Sequence, residues 1–205
     1  MSFGGGYPVP ARVVEAEEVL QRSRFLTLLA HAPSSEAAHR FVQTVRDQSP
    51  DATHHCYAFF AGPPGSTASV GMSDDGEPHG TAGRPMLTSL LHSGVGEVVA
   101  VCVRWYGGTK LGTGGLSRAY SGGVKAALDL LEVEMRIDRA RVEVHVGYAH
   151  VDGLQRLLDE IDAIQVEERY GTDVVYVVDV PEIAWVRFER GLADLTQGSG
   201  RARRF

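Results

Sequence analysis

The stretch that decides the fold is Val98-Val99-Ala100-Val101-Cys102-Val103, Arg104-Trp105-Tyr106, then Gly107-Gly108-Thr109-Lys110-Leu111-Gly112-Thr113-Gly114-Gly115 and the run opening at Leu116. It reads as a buried strand over Glu97–Trp105, a glycine-rich turn, and an amphipathic helix beginning near Leu116. In that helix Ala119, Tyr120, Val124, Ala127, Leu128 and Leu131 recur at three and four, with Arg118, Ser121, Lys125 and Asp129 on the other face. Gly122-Gly123 costs on the order of 1 kcal/mol per glycine relative to Ala, which points to a close approach there, by another helix or a ligand. Between Val98 and Leu128 there is no Asp or Glu, although the segment carries Arg104, Lys110, Arg118 and Lys125, and its two lysines are the only ones in the chain. Strand, glycine loop and helix N-terminus together suit an anion, because exposed backbone N–H groups and the positive helix end face the loop.

Upstream, Val13–Val19 and Arg24–Ala30 read as two strands around Gln21-Arg22-Ser23, followed by a helix after Pro33 with Ser34 or Ser35 as cap. Thr53–Ala61 alternates as an aromatic-rich strand ending at Gly62-Pro63-Pro64-Gly65, and Ala68–Met72 is a further short strand. The run from Ser73 to Gly83 has no periodicity and reads as loop, and Pro85 starts a short helix to Leu91. Downstream the order is strand (Ala140–Ala149), helix to Ile161 capped by Asp152, strand (Ile164–Tyr170), strand (Val174–Val180), helix after Pro181, and a closing strand within Gly198–Phe205. That is the ferredoxin-like order. The fold class expected is therefore α+β in two domains, 1–137 and 138–205.

A net charge of −6 over 205 residues, with 43% apolar and 22% charged residues, describes an ordinary globular chain and argues against wholesale coating of nucleic acid. A local basic site remains compatible with it. Cys56 and Cys102 lack CxxC spacing, so neither a zinc site nor a disulfide framework is indicated, and a reducing cytoplasm is the expected location. Met1–Pro10 reads as a Gly/Pro tail without signal-peptide character, and no apolar run is long enough for a membrane span. No membrane partner, metal or cofactor is expected, and the oligomeric state is not legible.

The glycine loop fits neither the Walker pattern nor GxGxxG, since Ser117 stands at the third position of the latter. The candidate phosphate-binding residues are Arg104, Gly107, Gly108, Lys110, Gly112, Gly114, Gly115 and Arg118. Asp74, Asp75 and Glu77 are the candidate acid/base or metal-binding carboxylates, although their spacing misses the EF-hand pattern. Alternatively, this acidic loop folds over to meet Arg104, Lys110 or Arg118. His54 and His55 are neighbours on a strand, so only one of them can face any site, and Cys56 points away from His55 by the same alternation.

The stretches Asp74-Asp75-Gly76-Glu77-Pro78-His79-Gly80-Thr81-Ala82-Gly83-Arg84-Pro85 and Arg104 to Tyr120 resemble the signature of the IMPACT family, bacterial YigZ branch. Ala52-Thr53-His54-His55-Cys56-Tyr57-Ala58 is similar to that family's upstream strand, and Trp105 stands where another aromatic is common. The resemblance implies an N-terminal domain similar to the second domain of a small-subunit ribosomal protein. It also implies a C-terminal ferredoxin-like domain similar to the last domain of elongation factor G. Eukaryotic relatives regulate translation by interfering with activation of an amino-acid-starvation kinase, but they carry an extra N-terminal interaction domain, so the kinase role is not among the expectations for this chain. The expected function is a translation-associated regulator that binds RNA, the ribosome or another phosphate-bearing ligand, with a translation factor as a further possible partner. The alternatives are an enzyme acting on a small phosphorylated substrate and a protein-interaction module without a ligand. The resemblance brings no catalytic residue.

Overall fold

A computed structural model describes residues 6–205, in two compact units, Tyr7–Arg136 and one that takes in Ile137–Phe205. Both mix helices with antiparallel strands, so the architecture is α+β. The chain enters the first unit through β1 (Tyr7–Pro10), β2 (Val14–Leu20) and β3 (Ser23–His31), followed by α1 (Ser35–Gln48). Next come β4 (His54–Phe60), β5 (Val70–Ser73), α2 (Gly83–Leu91), β6 (Val98–Trp105), α3 (Gly112–Asp129) and β7 (Val133–Arg136). Five strands form an antiparallel sheet in the order β2-β3-β6-β4-β5.

The period of two along β6 divides the sheet's faces. Val98, Ala100 and Cys102 join Phe25, Leu29, Cys56 and Phe60 in a core closed by Met86, Leu90, Leu116, Tyr120 and Val124 of α2 and α3. Val99, Val101 and Val103 pack with Ala38, Val42 and Val45 of α1 on the opposite face. Ser34 caps α1, its side chain accepting from Ala37 N–H at 3.1 Å. On the other face Gly123 permits close packing of α3 on the sheet: a Cβ there would sit 2.4 Å from Thr27 Oγ1. The close approach signalled by the glycine pair is thus a strand side chain, not a second helix or a ligand.

The reading of Met1–Pro10 as a tail needs correction, although Met1–Gly5 lie outside the described residues. Tyr7–Pro10 is β1, paired antiparallel with β7 from Tyr7↔Arg136 to Pro10↔Val133. Its two prolines are accommodated because the ribbon has only two strands and every strand in it is an edge. Glu97 ties the ribbon to the sheet by accepting from Tyr7 Oη at 2.8 Å, and lies 2.6 Å from His31 Nε2.

The second unit runs β8 (Arg139–Val146), α4 (Val151–Glu160), β9 (Ile164–Tyr170), β10 (Val174–Pro181), α5 (Trp185–Thr196) and β11 (Arg201–Arg204). Its sheet order is β11-β8-β10-β9, so each helix links two strands that hold a third between them. Val142, Val144, Tyr176 and Val178 pack against Leu154, Leu158, Phe188 and Leu192. Two local expectations shift here. A 3-10 turn, Tyr148–His150, leads into α4, so His150 takes the cap position and Asp152 lies in the first turn, where its charge complements the helix dipole. Pro181 likewise precedes a 3-10 turn, Glu182–Ala184, before α5 begins.

Candidate anion-binding site

Cross-strand register places the first components. Arg104 lies directly opposite Phe25 on β3 and His54 on β4, and its side chain follows Cys102 onto the α2–α3 face. Phe25 and Tyr106 flank its guanidinium, with ring centroids 5.2 and 5.3 Å from Cζ. Since the segment around Arg104 holds no carboxylate, its counter-charge comes from the loop after β5. Asp74–Glu77 is a turn with Asp75 and Gly76 at positive φ (43° and 88°), closed by Glu77 N–H donating to the Asp74 carbonyl at 2.9 Å. This turn delivers Glu77 to Arg104. One oxygen, Glu77 Oε1, accepts from Arg104 Nη1 and from Tyr120 Oη, both at 2.6 Å.

Arg104 and Glu77 are both buried, with side chains 5% and 3% exposed. Arg104 therefore does not supply a free charge to a ligand, as the sequence led one to expect. It forms the neutralised floor of the site. Of the two readings of the acidic loop, the internal partnership holds for Glu77 and Arg104. It does not hold for Lys110 or Arg118, which have no ion pair among the described residues.

The three candidate carboxylates are engaged inside the protein. Asp74 Oδ1 accepts from the N–H groups of Ala82 and Gly83 at 3.0 and 2.9 Å, and Oδ2 from that of Gly80 at 2.7 Å, which secures the start of α2. Burial alone would raise the Asp74 carboxyl, but the hydrogen bonds from Gly80, Gly83 and Ala82 outweigh it and hold the group below its ordinary range. Asp75 binds Arg46 Nη2 at 2.6 Å and His55 N–H at 2.7 Å. An acid/base or metal-binding role would require these groups to leave donors they already satisfy. The thiols are equally unsuited to catalysis: burial pushes Cys102 up to about 12 and Cys56 higher still.

Above the Arg104–Glu77 floor lies a cavity of about 420 Å³, whose polar lining includes His54, Tyr106, Lys110 and Thr113. His54 faces it while His55 turns toward the Ser49 carbonyl, as strand alternation requires. His54 Nδ1 lies 2.8 Å from the Asp75 carbonyl, which only accepts, so the proton sits on Nδ1. The acidic loop thus closes through one ion pair onto the end of β6, and it borders one cavity together with the glycine-rich loop.

The glycine loop is largely architectural. A Cβ on Gly107 would fall 1.9 Å from the Arg22 carbonyl oxygen, and its N–H donates to Ser23 Oγ at 3.2 Å. Gly108 and Gly112 have φ of 85° and 71°, which glycine adopts without strain. The expected helix start at Leu116 is corrected, because α3 begins at Gly112 and takes Gly114 and Gly115 into its first turn. Its first residues look like loop because glycines dominate them. Leu111 stands at the cap position with no side chain able to accept, and the first turn holds no acid. The first N–H groups of a helix have no intrahelical acceptor, and the first residues of α3, Gly112 and Thr113, line the cavity together with Lys110.

Arg118 belongs elsewhere. It lines a separate groove between α2 and α3, together with Arg84 and Lys125. Arg84, His54, Tyr106 and Thr113 were not among the site residues read from the sequence, and Lys125 was noted only for its charge. The available signal for Lys125 was its position seven residues after Arg118 on one helix within the acid-free segment.

The Impact N-terminal domain family matches residues 21–128, which include the cavity and all of the groove's lining but Asp129. The chain belongs to the IMPACT family. A second match, a domain of unknown function (DUF1949), covers residues 144–199 within the second unit. The IMPACT family member YigZ of Escherichia coli is 44% identical over 191 residues, 93% of this chain and 94% of that protein. IMPACT family member YvyE of Bacillus subtilis is 33% identical, covering 90% of this chain and 84% of its own length. A crystal structure of a hypothetical protein, 42% identical, superimposes with a TM-score of 0.71 over 97% of this chain and 96% of the other. In this IMPACT chain no helix among the described residues is long and apolar enough to cross a membrane.

Proposed function

We propose that this IMPACT chain is a translation-associated regulator, acting in the cytoplasm, that holds a phosphate of RNA or of a ribosomal surface in the cavity at the glycine loop. On this reading the first unit resembles the second domain of a small-subunit ribosomal protein. The second is ferredoxin-like, adding surface for a translation-factor partner. The observation that carries the proposal is the uncapped start of α3, an 18-residue helix, whose first residues line the same cavity as Lys110, a residue with no ion pair among the described residues. Orphan N–H groups, the positive end of the helix dipole and an ammonium group converge there with no carboxylate left uncompensated. Thr113 and Tyr106 add hydroxyls, and the Tyr106 ring offers a face for stacking.

Contacts of this type go to phosphate and carry affinity without sequence choice. Lys110→Ala is expected to weaken binding of two unrelated RNA oligonucleotides by the same factor. It should also flatten the dependence of log K on log salt by about 0.7, the contribution of one phosphate contact on a single strand. Fluorescence anisotropy across a KCl series reads both quantities. Wild-type affinity and an unchanged slope in the variant would remove the cavity from the account.

A further inference from the structure

The groove between α2 and α3 has a volume of about 830 Å³, twice that of the loop cavity, and shares no lining residue with it. Arg84 from α2 and Arg118 and Lys125 from α3 line it, and none of the three has an ion pair or side-chain hydrogen bond among the described residues. The contrast with the second unit is informative. There, five of nine arginines (Arg139, Arg141, Arg169, Arg187 and Arg204) are in ion pairs with nearby carboxylates. Asp129 is the one carboxylate lining the groove and forms no ion pair with the cations. The groove therefore keeps a net positive charge that nothing in the described chain neutralises.

We infer that this groove is a track for the phosphates of an extended phosphodiester strand, independent of the cavity at the glycine loop. Arg118 and Lys125 are rooted seven residues apart, about 10.5 Å along the helix axis at 1.5 Å per residue. Arg84 stands on the facing helix. Cations spread along both walls of a trough match a row of phosphates better than a single one. Three of the hydroxyls that line the groove, those of Thr88, Ser89 and Ser121, point to the sugar. Thr88, Ser89 and Ser121 donate to carbonyls of their own helices, those of Arg84, Pro85 and Ser117, at 3.0, 3.1 and 2.8 Å. Their protons are thus engaged, and what they present outward is lone pairs, which accept from a ribose 2′-OH and find no such donor in deoxyribose. RNA is accordingly the expected source of the strand.

The test uses the full chain, fluorescent oligouridylate, a deoxy-oligonucleotide of the same length and base, and a poly-glutamate peptide of that length, each titrated over a KCl series. Arg84→Gln with Lys125→Gln should leave the melting temperature unchanged, since neither head group has a partner to lose. It should reduce the salt slope for oligouridylate by about 1.4, two single-strand contacts. Oligouridylate should bind more tightly than its deoxy counterpart, and poly-glutamate more weakly than either. An unchanged slope in the double variant overturns the groove, and so does poly-glutamate binding as tightly as the oligonucleotides. Equal affinity for the ribo and deoxy strands overturns the assignment to RNA. Lys110→Gln separates the two sites. A slope that responds to Lys110 alone leaves the loop cavity and removes the groove, whereas one that responds to Arg84 and Lys125 alone does the reverse.

Discussion

Replacing Glu77 by Gln removes the counter-charge of Arg104 while preserving side-chain shape. Both groups are almost completely buried, at 5% and 3% side-chain exposure, and 2.6 Å apart, so solvent screening does little to soften the loss. Removing one partner of such a pair costs about 3 to 5 kcal/mol, because the other charge is left buried. The Gln amide oxygen can still accept from Arg104 and Tyr120, which places the expected cost near the lower end, about 3 kcal/mol. For a chain of this size that corresponds to a fall in Tm of about 6 to 12 °C. Besides Glu77 the guanidinium has one neutral acceptor, Ser23 Oγ, at 3.2 Å from Nη2, and its buried Nε has no partner, so no second carboxylate stands ready. Fluorescence of Trp105, read in a Trp185→Phe background, follows unfolding of the first unit in urea. Arg104→Met should be costly as well, and the double variant Glu77→Gln with Arg104→Met should lose less than the sum of the two, since neither charge is then stranded. A Glu77→Gln protein within about 0.5 kcal/mol of wild type, or full additivity in the double variant, would refute the pair as the fastening of the acidic loop to β6.

Other consequences follow from the same geometry. Asp74→Asn should cost about 0.5 to 2 kcal/mol, the range for a lost helix cap. Because the folded-state carboxyl lies below its ordinary range, its contribution is present above the unfolded pKa, near 3.9, and lost as pH falls through the lower folded value. The wild type should therefore lose stability in acid more steeply than Asp74→Asn below about pH 4, and parallel profiles in urea melts would contradict the cap. The glycine pair in α3 should separate under substitution. Gly122→Ala meets only Glu18 Oε1 at 3.9 Å and should stabilise by up to about 1 kcal/mol. Gly123→Ala collides with Thr27 and should destabilise by about 1 to 3 kcal/mol in spite of the same helix preference. A reversed order in thermal melts would contradict the packing of α3 on β3.

Period-two and period-three-to-four patterns made the central strands and helices legible, because Val98–Trp105 and the run after Leu116 bury whole faces. What escaped the sequence lacks such a pattern or depends on distant partners. Tyr7–Pro10 is a strand only because Val133–Arg136 pairs with it from more than a hundred residues away, and its prolines disguise it. The start of α3 was hidden by glycines, of which Gly115 is the one held close, with Leu111 packed against it. Charge was legible by location but not by use. Arg104 and Lys110 stand in one acid-free segment, yet only Arg104 sits opposite His54 on the face where the Glu77 turn closes. Arg118 and Lys110 looked like one site, and the helix turn between them sends them to different concavities.

The most direct test of the account is to follow the backbone amides of Thr113 and Gly114 by NMR while an RNA oligonucleotide is added to the full chain. If the start of α3 holds a phosphate beside Lys110, these two amides shift early and saturably, and Lys110→Ala diminishes the shift at equal RNA. Amides that stay still while RNA binds, with shifts confined to residues of Ile137–Phe205, would contradict the assignment of ligand binding to the glycine loop.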